Sequence, residues 1–336
     1  MRSRLPTLIL LLLSVVRGVC DGGISIIRAN DGKVIASDSP FGPYRDMLLA
    51  IDNAAGKVAV IQWGHYKSTI QILSVADGKC TKHTVAVGRL NGIDGAEYYD
   101  FASGDYVFHD ARGLRIFGKN TKPREVPNPL PKDFRTGTIV SCKDGLLIEA
   151  GNCAGDYRGG IVYCYSQSDG SVNKLYETSE GIRVLASGGD CAVVAEDVKG
   201  DPTSRQMVRI GLGGQVLSRV KMPIPSPAYL SLIKIEKGTL YEAYGSDLFR
   251  IQQASLDKGT ILRKLEFPDI PGGVRLFDVK DSIAVVCGSQ AASDGSSTAT
   301  VVDIERRKVL RRFKCERSVS DLKLMKYKGE VCIVSN

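Results

Sequence analysis

Histidine and tryptophan are scarce here: 336 residues hold three histidines, His65, His83 and His109, and one tryptophan, Trp63. No His-Glu-x-x-His or Cys-x-x-Cys spacing surrounds them, so no metal centre is expected. A Gly-x-Ser-x-Gly elbow is also lacking, which removes the commonest nucleophile placement of a hydrolase. No Asn-x-Ser/Thr acceptor occurs, so N-glycosylation is not expected. After residue 20 no apolar run approaches the roughly 20 residues that span a bilayer, and no long segment follows a 3.6-residue period. No catalytic residue, cofactor site or metal ligand is therefore assigned from sequence.

What the chain does have begins at its N-terminus. Arg2 and Arg4 precede the apolar run LILLLLSVV (8–16), and Arg17-Gly18-Val19-Cys20 follows. A basic start, a short apolar stretch and small residues near a cut mark a secretory signal peptide. Residues 1–20 are read as that signal, with Val16 and Gly18 favouring cleavage after Gly18 and Cys20 as the second option. The mature domain is then 21–336, soluble, in the endoplasmic-reticulum lumen or outside the cell. The formal charge of +8 falls to +5 once Arg2, Arg4 and Arg17 leave, too diffuse an excess for nucleic acid. The densest basic run, Arg306, Arg307, Lys308, Arg311 and Arg312, reads as an outer strand able to meet an anionic partner. Of the nine cysteines, several lie in apolar strand runs and read as packing residues. Cys142, Cys153 and Cys164 lie closest together and form the possible disulfide pool.

From Asp21 onward, runs of four to eight Val, Ile, Leu, Tyr and Phe residues alternate with Gly, Asp, Asn and Ser, the pattern of short strands and turns. One hairpin recurs: an apolar strand, a tight polar turn and a more polar strand. Its turns fall at 31, 77, 120, 169, 213, 258 and 306, in steps of 46, 43, 49, 44, 45 and 48. A period of 40 to 50 residues in a strand-rich chain predicts propeller blades. Two β-sandwiches would not give so even a step. The N-terminal part supplies only an outer hairpin (24–37) and the C-terminal part only an inner pair (320–327 and 331–336). The expected fold is thus all-β, a seven-bladed β-propeller whose last blade is closed by strands from both termini.

Candidate chemistry is limited to one carboxylate cluster, Asp94, Glu97, Asp100, Asp105 and Asp110, interleaved with Tyr98, Tyr99, Phe101, Tyr106 and Phe108. Paired acids could serve glycoside cleavage; acids in turns with aromatics alternating along strands is the simpler reading. The polar stretches EDVKGDPTSR (196–205) and GNCAGDYRGG (151–160) read as the longest loops, without the acid spacing of a calcium site.

The segments Ser25-Ile26-Ile27-Arg28-Ala29-Asn30-Asp31-Gly32-Lys33 and Ile72-Leu73-Ser74-Val75-Ala76-Asp77-Gly78-Lys79 resemble the quinoprotein-type propeller repeat. That family places a docking tryptophan after the lysine. None follows Lys33 or Lys79, so no quinone is expected. A signal peptide followed by such a propeller, with Gly189-Asp190-Cys191-Ala192-Val193-Val194-Ala195-Glu196-Asp197 after an Asp-Gly hairpin, is similar to the luminal propeller of the first subunit of the endoplasmic-reticulum membrane protein complex. The resemblance implies a non-catalytic scaffold that assists membrane-protein insertion through protein partners, with membrane association only through a partner. A secreted propeller enzyme, quinoprotein-like or glycan-acting, is the alternative.

Overall fold

The computed structural model describes residues 24–38, 46–62, 68–85, 96–110, 112–118, 122–152, 159–188, 190–223, 232–245, 247–271, 273–288, 297–315 and 322–335. Residues 1–23 and the connections between those stretches lie outside the described residues. Among the described residues every regular element is a β-strand. After the hairpin β1 (Ile24–Arg28) and β2 (Val34–Asp38), blade 1 comprises β3 (Asp46–Asp52), β4 (Lys57–Gln62), β5 (Ser68–Ser74) and β6 (Cys80–Val85). Blade 2 comprises β7 (Ala96–Asp100), β8 (Asp105–Asp110), β9 (Gly113–Phe117) and β10 (Arg124–Pro127). Blade 3 is β11 (Phe134–Cys142), β12 (Gly145–Asn152), β13 (Gly160–Ser166) and β14 (Val172–Thr178). Blade 4 is β15 (Ile182–Ser187), β16 (Cys191–Val198), β17 (Asp201–Gly211) and β18 (Val216–Pro223). Blade 5 follows with β19 (Leu232–Glu236), β20 (Thr239–Tyr244), β21 (Leu248–Ser255) and β22 (Ile261–Pro271). Blade 6 has β23 (Val274–Lys280), β24 (Ile283–Gly288), β25 (Ser297–Asp303) and β26 (Lys308–Cys315). The last pair is β27 (Leu322–Tyr327) and β28 (Glu330–Ser335).

Each sheet is an antiparallel four-stranded meander, and the seventh has the order β2-β1-β28-β27. In it Ser25 faces Ser335 and Arg28 faces Cys332. The first strands of successive blades contact one another from β3 through β7, β11, β15, β19 and β23 to β27. The seven sheets form the ring of a β-propeller.

Side-chain alternation explains the ring. Successive residues of a strand point to opposite faces, and here both faces are apolar. On β4, Val58 and Val60 join the cluster holding Met325, Val334 and Ile26 of blade 7. Ala59 and Ile61 join the cluster holding Tyr106 and Phe108 of blade 2. The same division repeats round the molecule, giving one buried apolar cluster for each seam between neighbouring blades.

The recurrent outer hairpin owes its geometry to aspartate and glycine. Asp31, Asp77 and Asp169 each accept, through Oδ1, the backbone N–H two residues on, at 3.0, 3.1 and 3.0 Å. The glycines that follow, at φ 73°, 66° and 74°, take a conformation that side chains resist. The inner turns Lys237-Gly238, Asp281-Ser282 and Lys328-Gly329 have positive φ at both central residues, the type I′ arrangement matching strand twist. They are also laced together. Lys237 and Lys326 both reach the Asp281 carboxylate, which they hold below its ordinary pKa. Asp281 N donates to Glu236 Oε2 at 2.9 Å, and Lys326 N donates to Asn53 Oδ1 at 2.7 Å. This chain ties the turns of blades 5, 6, 7 and 1.

One sequence reading changes. The stretch 196–205 is no loop: β16 runs to Val198, β17 starts at Asp201, and Gly200 at φ 71° makes a tight turn. Its polar residues belong to strands because they find partners between blades, as described below.

The β1–β28 ladder gives a direct test. Replacing both Ser25 and Ser335, which face each other, with cysteine should allow a bridge that closes nearly the whole described chain into one loop. The melting temperature of the oxidised variant should rise, by several kcal/mol of stabilisation in order of magnitude, and return to that of the parent on reduction. Differential scanning calorimetry with and without reductant measures it; an unchanged melting point argues against the pairing.

Candidate functional site

The ring has two unlike ends. One carries the tight turns between first and second and between third and fourth strands. The other receives the connections between second and third strands and between blades. At this second end, ionisable side chains are buried in consecutive seams from blade 1 to blade 5.

In the seam between blades 1 and 2, Glu97 on β7 lies on the same face as Phe108 on β8, its partner in register. Burial raises its pKa to about 8, opposed by the neighbouring Tyr106 phenol. Tyr106 is fully buried, and burial followed by the Glu97 charge pushes its phenol well up. Arg115 on β9 lies over the Phe108 ring, 4.8 Å from its centroid, and its Nη2 donates to Asp110 Oδ2 at 2.5 Å.

In the next seam His109 has no exposed surface. Its Nδ1 lies 2.5 Å from Thr136 Oγ1 of blade 3, and its Nε2 3.5 Å from Asn128 Nδ2. Burial lowers its pKa to about 4, so the ring is neutral at physiological pH. In that state Asn128 donates to Nε2 and Nδ1–H donates to the threonine hydroxyl.

Between blades 3 and 4, Glu149 has its pKa raised to about 7 by burial, with Thr138 as its hydrogen-bond partner acting against the shift. A bulge between Thr136 and Thr138 makes room for it: a Cβ on Gly137 would come within 2.5 Å of Glu149 Oε2. The Glu196 carboxylate accepts from Tyr176 Oη at 2.8 Å, Gln206 Nε2 at 2.6 Å and Arg219 Nη1 at 3.0 Å. Between blades 4 and 5, Arg205 Nη1 pairs with Glu242 Oε1, the side chains being 9% and 2% exposed.

Sequence reasoning passed over Glu149 and Glu242, because a lone acid inside an apolar strand has no spacing to reveal it, and over Arg205 because it closes a polar stretch read as a loop. The signal for the two acids was local: each interrupts an apolar run, as in Leu146-Leu147-Ile148-Glu149-Ala150.

The carboxylate cluster divides. Asp94 is outside the described residues. Asp100, at the other end of β7 from the Glu97 seam, accepts from Ala102 N at 3.1 Å, Ser103 Oγ at 2.7 Å and Gln167 Nε2 at 2.6 Å. Asp105 begins β8 at that same tight-turn end. Three residues of strand separate Glu97 from Asp100, about 10 Å. Among the described members of the cluster, Glu97 and Asp110 share an end and a face. Trp63, His65 and Cys153 lie outside the described residues.

The basic run forms the last turn and outer strand of blade 6. Arg306 Nε lies 3.7 Å from Asp303, and Arg312 Nη2 donates to the Asp269 carbonyl of blade 5 at 2.7 Å. Arg307 and Lys308 are exposed, while Arg311 lies over the Gly32 turn of blade 7. Cys142 and Cys164 are free thiols. Among the described residues no three His, Cys, Asp or Glu side chains converge as a metal site would require.

No family model matches the chain, and no curated protein matches it in sequence. Solved structures do match in shape. An oligogalacturonate lyase in complex with manganese is 13% identical, with TM-score 0.57, over 84% of this chain and 85% of that one. A prolyl endopeptidase structure is 15% identical, with TM-score 0.58, over 84% of this chain and 44% of that one. A Lactobacillus plantarum protein is 14% identical, with TM-score 0.53, over 94% and 99% of the two chains. Identities this low establish a shared fold. The chain is a seven-bladed β-propeller, a fold whose structural neighbours include enzymes.

Two predictions follow from the seams. Glu97 has a folded pKa of about 8 against about 4.3 when unfolded, so the folded state holds its proton more tightly. The resulting destabilisation is absent below about pH 4, grows with pH and is complete above about pH 8. Glu97→Gln should therefore gain stability over the parent across that window, by about 2 kcal/mol or more, read from urea titrations at pH 5 and pH 8.5. Arg205→Met should cost about 3 to 5 kcal/mol by removing the buried cation that the Glu242 carboxylate pairs with, whereas Arg205→Met with Glu242→Leu should recover most of it. An equal loss in single and double variants would show that the pair is not coupled.

Proposed function

We propose that this propeller is a non-catalytic interaction platform of the secretory pathway, the luminal scaffold of an endoplasmic-reticulum membrane protein complex that assists membrane-protein insertion. The observation that carries the reading is the commitment of the buried ionisable groups. His109, Glu196 and the Arg205–Glu242 pair hold neighbouring strands or blades to one another, each in its own seam, instead of converging on a common cleft. Groups so used specify a rigid ring, and a rigid ring with a varied rim suits partner binding. The rim offers apolar side chains on adjacent blades, Val216 and Leu217 on β18 and Leu262 on β22, which are 43%, 49% and 53% exposed. It also offers the basic strand of blade 6. The sequence resemblance to the complex's first subunit and the signal-like segment 1–20 support the luminal setting.

A tagged full-length protein made in secretory cells tests this. The mature N-terminus should begin at Val19 or Asp21, and mild detergent should co-purify a membrane-embedded complex. A chain that starts at Met1, or one that is monomeric without partners and turns over a small molecule, would overturn the reading.

A second reading has one observation in its favour. Glu97 keeps its proton at neutral pH, and Asp110 follows on the same face two residues beyond its register partner Phe108. A protonated acid near a carboxylate is what acid–base chemistry on a glycan would use. Turnover of any member of a glycan panel, abolished by Glu97→Gln, would establish it.

A further inference from the structure

The outer hairpins repeat one detail that packing explains on some blades and not on others. On blades 4, 5, 6 and 7 the outer strand carries one extra residue between two rungs of its ladder. Those residues are Leu217, Leu262, Leu310 and Ile35, each three positions after the turn residues Gly214, Gly259, Arg307 and Gly32. On blades 1 and 3 the same place is held by Thr81 and Asn173, which stay in the ladder. A bulged residue is unpaired, and its side chain is re-aimed. Leu310 and Ile35 pack onto the seams between blades 6 and 7 and between blades 7 and 1. Leu217 and Leu262 join none of the seam clusters and are 49% and 53% exposed. With Val216 beside them, they are the large apolar side chains left in water among the described residues.

These positions are joined into a belt, because each outer turn laps onto the outer strand of the blade before it. A Cβ on Gly259 would strike the Val220 side chain and lie 3.5 Å from the Lys221 carbonyl oxygen. One on Gly32 would lie 2.7 Å from Arg311 Nη1, and one on Gly78 3.9 Å from the Ile35 carbonyl oxygen. Between blades 5 and 6 an ion pair makes the lap, Arg263 Nη2 to Glu305 Oε2 at 2.5 Å. Three residues lead from Leu217 to the Val220 lap and three from Gly259 to Leu262, which keeps the two leucines within about 25 Å. Charge along this stretch is one-sided. Asp257, Glu266 and Glu305 are engaged by Arg209, Arg250 and Arg263. Lys258, Lys264, Arg307 and Lys308 stand exposed around Leu262 and on the turn that follows it.

We propose that blades 4 to 6 form a docking belt for an acidic, apolar protein segment, its apolar side chains meeting Leu217 and Leu262 and its carboxylates the cations beyond them. The proposal rests on the interaction-platform reading and adds the chemistry of the partner. Strand addition is not the mode, because bulges and laps cut the free edges of β18 and β22 into pieces too short for a ladder. Side chains carry the contact instead, and a helix of up to about 17 residues would span both leucines. The belt follows the circumference of the ring, a curve that an elongated segment can track and a flat bilayer meets only locally.

A phage-displayed library of random 20-residue peptides, panned on the full-length protein, supplies the probe. Enriched peptides should combine aliphatic or aromatic residues with an excess of Asp and Glu. The best of them, synthesised, should lose about tenfold or more in affinity for the Leu217→Asp, Leu262→Asp double variant. Arg307→Glu with Lys308→Glu should weaken the same peptide about fivefold and flatten its salt dependence. All four side chains are exposed, so both variants should melt within a few degrees of the parent, which separates lost docking from lost folding. Failure to enrich acidic apolar peptides, or binding indifferent to both variants, overturns the proposal. So does flotation on phosphatidylserine vesicles that needs the two leucines while no peptide is enriched, which would assign the belt to a lipid surface. In secretory cells, partners retained undiminished by the double leucine variant would sink the belt and leave the platform standing, whereas a parent protein without partners would remove both.

Discussion

Everything in this molecule depends on the burial of both faces of each four-stranded sheet. A blade such as β15 to β18 turns Ala192 and Val194 toward blade 3 and Val193 and Ala195 toward blade 5. Neither set can be covered by the blade itself. A lone blade would leave two apolar faces in water, at roughly 25 cal/mol for each Å² exposed. The seams are therefore the true core, split into seven parcels, and the curvature of the ring follows from fitting them together. Within that constraint the turns need only be tight, which the Asp-Gly pairs accomplish locally.

The same constraint decides what the sequence could disclose. Hydrophobic strands at even steps are legible because every blade solves one packing problem with the same alternation. The outer hairpins at Asp31, Asp77 and Asp169 were readable from two residues each. The buried ionisable groups were not. Glu149 is tolerated because Gly137, twelve residues before it along the chain, leaves a bulge, and Arg205 because Glu242 stands on a different blade. Such pairings belong to the folded ring and leave no periodic trace. The stretch 196–205 shows the error this produces: read by composition it is a loop, yet Glu196, Asp197 and Val198 pair with Gln206, Arg205 and Asp201, so the two strands run on to a tight turn with a bulge at 202–204.

The distribution of those groups makes the ring unequal. Counted from the inner turns, Ile61, Cys287 and Val334 occupy on blades 1, 6 and 7 the place that His109 and Glu149 take on blades 2 and 3. One arc thus has ionisable groups buried in its seams near the connection-bearing end; the other has apolar side chains at the matching second-strand place and carries its cross-blade polar links elsewhere, through Lys237, Lys326 and Asp281 and through Leu324 N on Asp278. Partner binding or chemistry at the connection-bearing end would meet a stiff, polar-pinned arc on one side and a smoother one on the other.

The antiparallel pairing of β1 with β28 also has a mechanical side. Because Ser25 lies opposite Ser335, the two strands leave their ladder at the same end. Tension applied between those two ends does not load the hydrogen bonds together, in shear, but one rung after another, as a zip is drawn. A ring held by seven packed seams would thus yield to a modest pull at this one joint, peeling open from Ser25 and Ser335 inward toward Arg28 and Cys332.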